Sequence, residues 1–253
     1  MIHDPAFYAA AFAATVLVGL SKGGFTGLSV LAQPILALVI SPIQAAAIML
    51  PVLIVQDAVS VYAYWRRWDG RELRPVLLPA CAGVVLGYLL AAFVSDAAVL
   101  ISIGLLSLGE AGRRLLAARK AGDQPRFGRL GASFWCALAG FTSMIANAGG
   151  PPFMIYLLRQ GLSRDTFVAT GVAFFTIVNW VKVPFFLALG QINGANLATS
   201  AVLFPLAVVA TLAGVRLVRV VPAERFFGII YTLLAIVGVK LVYDGLAAQG
   251  LLF

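Results

Sequence analysis

Hydrophobic residues fill almost the whole chain, and short polar stretches divide them into runs. We divide the pattern into ten apolar segments, five in each half. They lie near 5–21, 25–40, 44–65, 75–94 and 97–116, and near 131–147, 150–160, 165–189, 196–216 and 225–245. Most of these runs are long enough to cross a hydrocarbon core of about 30 Å as a helix. The pattern predicts an all-α protein that passes through a membrane many times.

The second segment of each half is short, and the one at 150–160 is too short for a full crossing. Residues 150–160 would form a helix of only about 16 Å at the usual α-helical rise per residue. We therefore expect the first two segments of each half to form a helical hairpin, followed by three transmembrane helices. The sequence leaves open whether each hairpin spans the membrane or enters and returns on one side.

Glycine interrupts both halves at the same place. The first break reads Gly19-Leu20-Ser21-Lys22-Gly23-Gly24-Phe25-Thr26-Gly27, and the second, about 120 residues later, begins at Gly140 and ends Asn147-Ala148-Gly149-Gly150-Pro151-Pro152. Broken helices at matching positions of two halves indicate a transporter binding site, because freed backbone groups persist in a bilayer only where they line a cavity or bind something. The alternative is that the glycines only allow close helix packing.

Other residues support an internal repeat. With the two breaks superimposed, Ser41 falls on Ser163, Asp57 on Asn179, Gly70 on Gly194 and Gly109 on Gly238. The alignment predicts one membrane repeat over residues 1–116 and a second over 131–253, joined by a basic linker at 117–130. Chance alignment of glycines in apolar stretches is the alternative.

The charges in the loops give the halves an orientation. The basic residues cluster after the third segment, in the centre of the chain and in two later loops: Arg66, Arg67, Arg71, Arg74, Arg113, Arg114, Arg119, Lys120, Arg126, Arg129, Arg159, Arg164, Arg216, Arg219 and Arg225. The positive-inside rule places these loops, including the central linker, in the cytoplasm. The loop at Gly190–Gly194 is uncharged and is predicted outside, whereas its repeat partner at Asp69-Gly70 is inside. The two halves are therefore predicted to be inverted in the cell (inner) membrane.

Composition narrows the class of protein. The chain is 62% hydrophobic and only 11% charged, with a formal net charge of +8. A soluble domain does not carry such a composition, and basic residues confined to short loops do not form a nucleic-acid surface. The one histidine, His3, lies near the terminus, and Cys81 and Cys136 lie far apart without metal-ligand spacing. We predict no metal, no cofactor and no enzymatic activity, and we find no phosphate-binding Gly-x-x-x-x-Gly-Lys motif.

The breaks carry the candidate binding residues. A helix that starts inside the membrane points N–H donors and the positive end of its dipole at the cavity. Lys22 adds a positive charge to this arrangement. The predicted site for a small oxyanion consists of Ser21, Lys22, Gly23, Gly24, Thr26, Ser143, Asn147, Gly149 and Gly150.

Three further polar residues lie inside apolar runs. Asp57, its repeat partner Asn179 and nearby Lys182 are candidates for proton coupling or for setting the charge of the pocket. Asp57 has an alternative role as the structural partner of a lysine. Lys22 and Lys182 have the alternative of extending toward the membrane surface, and Lys240 beside Asp244 is expected to anchor the last helix there.

The chain resembles the TauE/SafE family of membrane permeases from about Phe12 to Leu241. The resemblance lies in Ser21-Lys22-Gly23-Gly24, in Asn147-Ala148-Gly149-Gly150-Pro151-Pro152, in Pro34 and Pro42, and in the repeated halves with their basic central loop. It implies export of sulfite or of organosulfonates such as sulfoacetate.

The expected function is that of a secondary transporter for a small oxyanion, with export favoured and proton coupling as one option. A passive anion channel, an uptake permease for a sulfur-containing or carboxylate anion, and a subunit that only scaffolds a complex are the alternatives. The expected partners are the anion and the lipid bilayer, and the oligomeric state is left open.

Overall fold

The protein is all-α wherever the computed structural model describes it, which is at residues 2, 4–23, 28–91, 93, 95–117, 126–217 and 223–250. The helices are α1 (Pro5–Lys22), α2 (Ala32–Ala37), α3 (Pro42–Ala63), α4 (Gly70–Ala91), α5 (Asp96–Ala117), α6 (Arg129–Ala146), α7 (Gly150–Leu157), α8 (Arg164–Ala188), α9 (Gly194–Leu217) and α10 (Ala223–Ala248). A 3-10 turn at Leu28–Leu31 precedes α2, and another at Leu158–Gln160 follows α7.

Five of these helices, α1, α3, α4, α8 and α9, are long and apolar enough to cross a membrane. The prediction of an all-α polytopic membrane protein is confirmed. Helix α3 is the most enclosed of the five, since 61% of its apolar window is buried within the protein against 33–39% for the other four. It therefore lies at the centre of the helix assembly.

The two residues aligned as Ser41 and Ser163 have the same structural role. The Ser41 hydroxyl accepts a hydrogen bond from the backbone N–H of Gln44 at 3.4 Å, and the Ser163 hydroxyl accepts one from Thr166 at 3.5 Å. Each serine thereby caps the start of the third helix of its half, α3 or α8. Gly70 and Gly194, also aligned, are the first residues of α4 and α9.

The boundaries of α4 differ from the prediction of 75–94. The helix begins five residues earlier because the Asp69 carboxylate accepts hydrogen bonds from the backbone N–H groups of Arg71 at 2.7 Å and Glu72 at 3.3 Å. Pro75 and Pro79 then lie inside the helix. Helix α2 is shorter than the predicted segment 25–40, part of which lies outside the described residues.

Each hairpin packs against the other half of the chain. Helix α1 runs parallel to α9, with Gly19 against Ala210 and Gly23 against Gly214. Helix α6 runs parallel to α4, where a Cβ atom added to Gly140 would lie 1.9 Å from the Ala80 carbonyl oxygen. The first helix of either half thus packs on the fourth helix of the other, at a distance that only glycine permits.

The last helices of the two halves, α5 and α10, pack against each other in antiparallel directions. Gly104 contacts Gly238, while Gly245, further along α10, contacts Ala97 near the start of α5. Gly109, which the sequence aligned with Gly238, has no neighbour within 4 Å at the position of an added Cβ. Gly104, and not Gly109, therefore packs against Gly238.

Candidate functional site

The two chain breaks meet in space. Ser21 at the end of α1 donates its hydroxyl to Ser29 Oγ across the first break at 3.2 Å. A Cβ atom added to Gly150, which begins α7 after the second break, would lie 4.0 Å from Ser29 Oγ. Segments about 120 residues apart in the sequence therefore come together at one point.

A cavity of about 120 Å³ lies at this meeting point. Six of the predicted site residues line it: Ser21, Lys22, Ser143, Asn147, Gly150 and Asn179. Most of the remaining wall is apolar and comes from α7 and α8, including Phe153, Leu157, Phe167 and Phe175. The cavity is thus polar at the two breaks and apolar along the side formed by α7 and α8.

Lys22 pairs with the buried carboxylate of Asp57. The Lys22 ammonium donates to Asp57 Oδ1, and the side chains are 11% and 1% exposed. Asn179 donates its amide N–H to Asp57 Oδ2 at 2.7 Å. The repeat partners Asp57 and Asn179 are therefore in direct contact, and both carboxylate oxygens are occupied.

Lys182 is fully buried and extends inward, so it does not reach the membrane surface. Its ammonium donates to the Ser143 carbonyl and hydroxyl oxygens, each at 3.2 Å, and to Asn147 Oδ1 at 2.6 Å. No carboxylate lies within salt-bridge distance of Lys182 among the residues that the structure describes. Its charge is balanced in part by the carbonyl end of α6, where cations are favoured.

The second break is shaped by the end of α6. Asn147 adopts a left-handed conformation with φ of 49°, and its N–H donates to the Ser143 carbonyl at 3.0 Å. The Asn147 side chain also donates to the Ala46 carbonyl of α3 at 3.2 Å. Asn147 therefore ends α6, accepts a hydrogen bond from Lys182 and connects the second break to α3 in the other half of the chain.

Helix α7 offers fewer backbone donors than the sequence suggested. Pro151 and Pro152 have no N–H, which leaves Gly150 as the donor among the first three residues of α7. The N–H of Phe153 is occupied by the Gly149 carbonyl at 3.2 Å. Side chains, and not a set of free backbone N–H groups, supply most of the polar groups at this break.

The other glycines predicted to belong to the site do not line the cavity where the structure describes them. A Cβ atom on Gly23 would lie 2.2 Å from the Gly214 backbone, and one on Gly149 would lie 2.5 Å from the Ala139 carbonyl oxygen. Both glycines make close packing contacts, as the packing alternative predicts, and neither lines the cavity. Gly24 and Thr26 lie outside the described residues.

Two polar residues of the cavity wall, Ser29 and Gln33, were missed by the sequence analysis. Gln33 is buried and donates to the Pro42 carbonyl at 3.0 Å. It is the only polar residue between Ser29 and Ser41. An amide isolated in an apolar run is the signal that would have indicated it.

The cavity extends toward one end of the helix assembly. Its wall runs from Asn179 to Phe167 and Val168, in the first turns of α8. Val168 packs with Tyr64 at the end of α3, and Arg67 forms an exposed ion pair with Asp165 at 3.1 Å next to this end. The cavity wall therefore reaches the end that carries the basic loops after α3 and before α8.

The profile of the family described as "Sulfite exporter TauE/SafE" matches residues 11–241, which include both breaks and every described residue of the cavity wall. The chain belongs to the TauE/SafE family. The resemblance seen in the sequence is confirmed, and TauE/SafE membership makes the protein a membrane transporter of the sulfite-exporter type. Neither a curated protein nor a solved structure shows a significant match to the chain.

Among the described residues of this TauE/SafE protein, no group of three or more His, Cys, Asp or Glu side chains is arranged to hold a metal ion. The polar groups of the site are two lysines, one aspartate, amides and hydroxyls. These side chains offer hydrogen-bond donors, hydrogen-bond acceptors and charge at one place.

Proposed function

We propose that the protein is a secondary transporter that exports a small oxyanion, sulfite or an organosulfonate, across the cell membrane. The observation that carries the proposal is the charge around the cavity. Among the described residues, and with both lysines as ammonium groups, Lys22 and Lys182 bring two positive charges against the single carboxylate of Asp57. The site is therefore short of one negative charge, which a bound anion supplies.

Burial makes this imbalance significant. A charged group inside a membrane protein is costly unless it is paired or serves function. The acceptors of Lys182 are a carbonyl, a hydroxyl and an amide oxygen, all neutral. An anion in the cavity would lie beside Lys22 and next to Ser143 and Asn147, which Lys182 polarises.

The proposal includes inverted repeats over residues 1–116 and 131–253. Two packing features support them. Helices α5 and α10, which correspond in the repeat, run antiparallel, and the α1–α9 and α6–α4 contacts are exchanged between the halves. Halves related in this way exchange conformations, which provides alternating access to a site between them.

Export is the direction that we propose, and the family description "Sulfite exporter TauE/SafE" supports it. The positive-inside rule assigns the end bearing Arg66, Arg67 and Arg159 to the cytoplasm, as it does the linker at 117–130. The cavity wall reaches this end at Phe167 and Val168. This contact supports entry of the anion from the cytoplasm.

The test is flux of sulfite and sulfoacetate from proteoliposomes that contain the purified protein. Lys22→Ala should abolish anion flux, because it removes the positive charge on the cavity wall. Lys240→Ala is the matched control, since Lys240 is 59% exposed and pairs with Asp244 away from the cavity. Loss of Lys22 leaves Asp57 unpaired, so the double variant Lys22→Ala with Asp57→Asn serves as a second test that removes both charges.

Wild-type flux in both Lys22 variants would contradict the assigned site. Flux that rises in proportion to concentration without saturating, and that ignores a proton gradient, would indicate a passive anion channel.

A further inference from the structure

We propose that Asp57 is an internal anion that occupies Lys22 and Asn179 in the empty site, and that the transported anion displaces it as Asp57 takes up a proton. The inference rests on the proposed function and specifies how anion and proton are linked. It also defines the substrate class as a divalent anion.

The geometry gives Asp57 and the anion the same partners. Both Asp57 oxygens are used, one by Lys22 and the other by Asn179. Lys22 and Asn179 line the cavity, whereas Asp57 lies behind them and is 1% exposed. An anion that enters the cavity therefore meets donors that already serve a carboxylate.

Two negative groups on the same donors repel each other in a site with little water, and protonation of one of them removes the conflict. The charged and titratable groups around Asp57 are few. Lys22 faces it from α1, Lys182 lies one turn beyond Asn179 on α8, and Tyr64 at the end of α3 donates to the Gly23 carbonyl at 2.5 Å. Among the described residues, Asp57 is the carboxylate of this cluster, so it receives the proton.

The charges balance for a divalent anion. One proton from the bulk solution binds the Asp57 carboxylate, which becomes a neutral carboxyl, and no bond of the anion is broken. With Lys22 and Lys182 both as ammonium groups, the site then carries two positive charges, which one divalent anion neutralises. A divalent anion moving with one proton carries one net negative charge, and an inside-negative potential expels it with about 2.3 kcal/mol per 100 mV.

The experiment measures proton uptake when sulfoacetate, which is divalent near neutral pH, is mixed with purified wild-type protein in weakly buffered detergent solution. We expect about one proton to be taken up per sulfoacetate bound, and an affinity that falls by up to about tenfold per unit rise in pH. Methanesulfonate, a monovalent sulfonate, should bind more weakly.

Two variants complete the design. Binding of sulfoacetate to Asp57→Asn should take up no proton and lose its dependence on pH. Asp244→Asn is the matched control, because it alters an aspartate that pairs with Lys240 outside the cavity, and it should behave as wild type.

Wild-type protein that binds sulfoacetate without proton uptake would overturn the inference and leave the proposed function intact. Asp57→Asn that still takes up a proton would overturn it as well. Failure of the wild-type protein to bind any of the anions would overturn both. If Asp57→Asn does not fold, proton uptake by the wild-type protein still tests the inference.

Discussion

At the scale of single residues, three lysines with similar sequence surroundings have three different environments. Lys22 pairs with an aspartate beside the cavity, Lys182 is fully buried among neutral acceptors, and Lys240 is exposed and pairs with Asp244. Lys240 does pair with Asp244, and its role as an anchor at the membrane surface stays a prediction. The environment, not the residue type, separates a site residue from a surface anchor.

Lys182→Met should both destabilise the protein and weaken anion binding. The substitution removes the partner of Ser143 and Asn147, and unsatisfied buried polar groups cost about 1–3 kcal/mol. It also removes one positive charge from the surroundings of the cavity. Thermal unfolding with and without sulfoacetate measures the two effects separately.

Lys240→Met serves as the control for this variant, because an exposed pair contributes only about 0–1 kcal/mol. Wild-type affinity for sulfoacetate in Lys182→Met would mean that Lys182 only caps α6.

At the scale of helices, glycine sets the distance between the halves. The α4–α6 contact depends on Gly83 and Gly140, each of which would place a Cβ atom 1.9 Å from a carbonyl oxygen of the other helix. Because backbone atoms cannot move aside as a flexible side chain does, the two helices have to separate if either glycine gains a methyl group.

Gly140→Ala should therefore lower stability by about 1–3 kcal/mol or more, as overpacking does. Gly109→Ala is the matched control, because Gly109 in α5 has open space at the Cβ position. Alanine in a helix interior is favoured over glycine by about 0.5–1 kcal/mol, so this variant should be slightly more stable. Unfolding temperatures in detergent compare the two, and equal effects would argue against the close α4–α6 contact.

At the scale of the whole molecule, the two halves are interlocked rather than side by side. The first helix of each half packs on the fourth helix of the other, and the central α3 and α8 bring Asp57 and Asn179 together. A site assembled this way changes whenever one half moves against the other. The architecture thus links access to the cavity with the relative position of the halves.

Inversion of the halves predicts that repeat-equivalent residues lie on opposite sides of the membrane. Arg71 and Ala195 are each the second residue of their helix, α4 and α9, and both are exposed. In a background without Cys81 and Cys136, Ala195→Cys should react with a membrane-impermeant maleimide in intact cells. Arg71→Cys should react only after the membrane is permeabilised, and labelling of both from one side would rule out inversion.

The membrane class, the two breaks, the short α7 and the starts of α3 and α8 could be predicted from the sequence. These features depend on local causes: apolar length decides which helices cross, glycine and proline decide where a helix stops, and a serine caps the next one. The sequence also placed most of the polar cavity residues, because polar groups in apolar runs are costly and therefore informative.

The partner of each polar residue could not be predicted, because it depends on how distant helices pack. Lys22 meets Asp57 from 35 residues away, and Lys182 bends inward to Ser143 and Asn147, because neighbouring helices present acceptors there. Gly23 packs in the α1–α9 contact, and Gly149 packs against α6 just before α7 begins. Gly150, in contrast, lines the cavity. Such partners depend on which distant helices pack together, and a local pattern does not encode that.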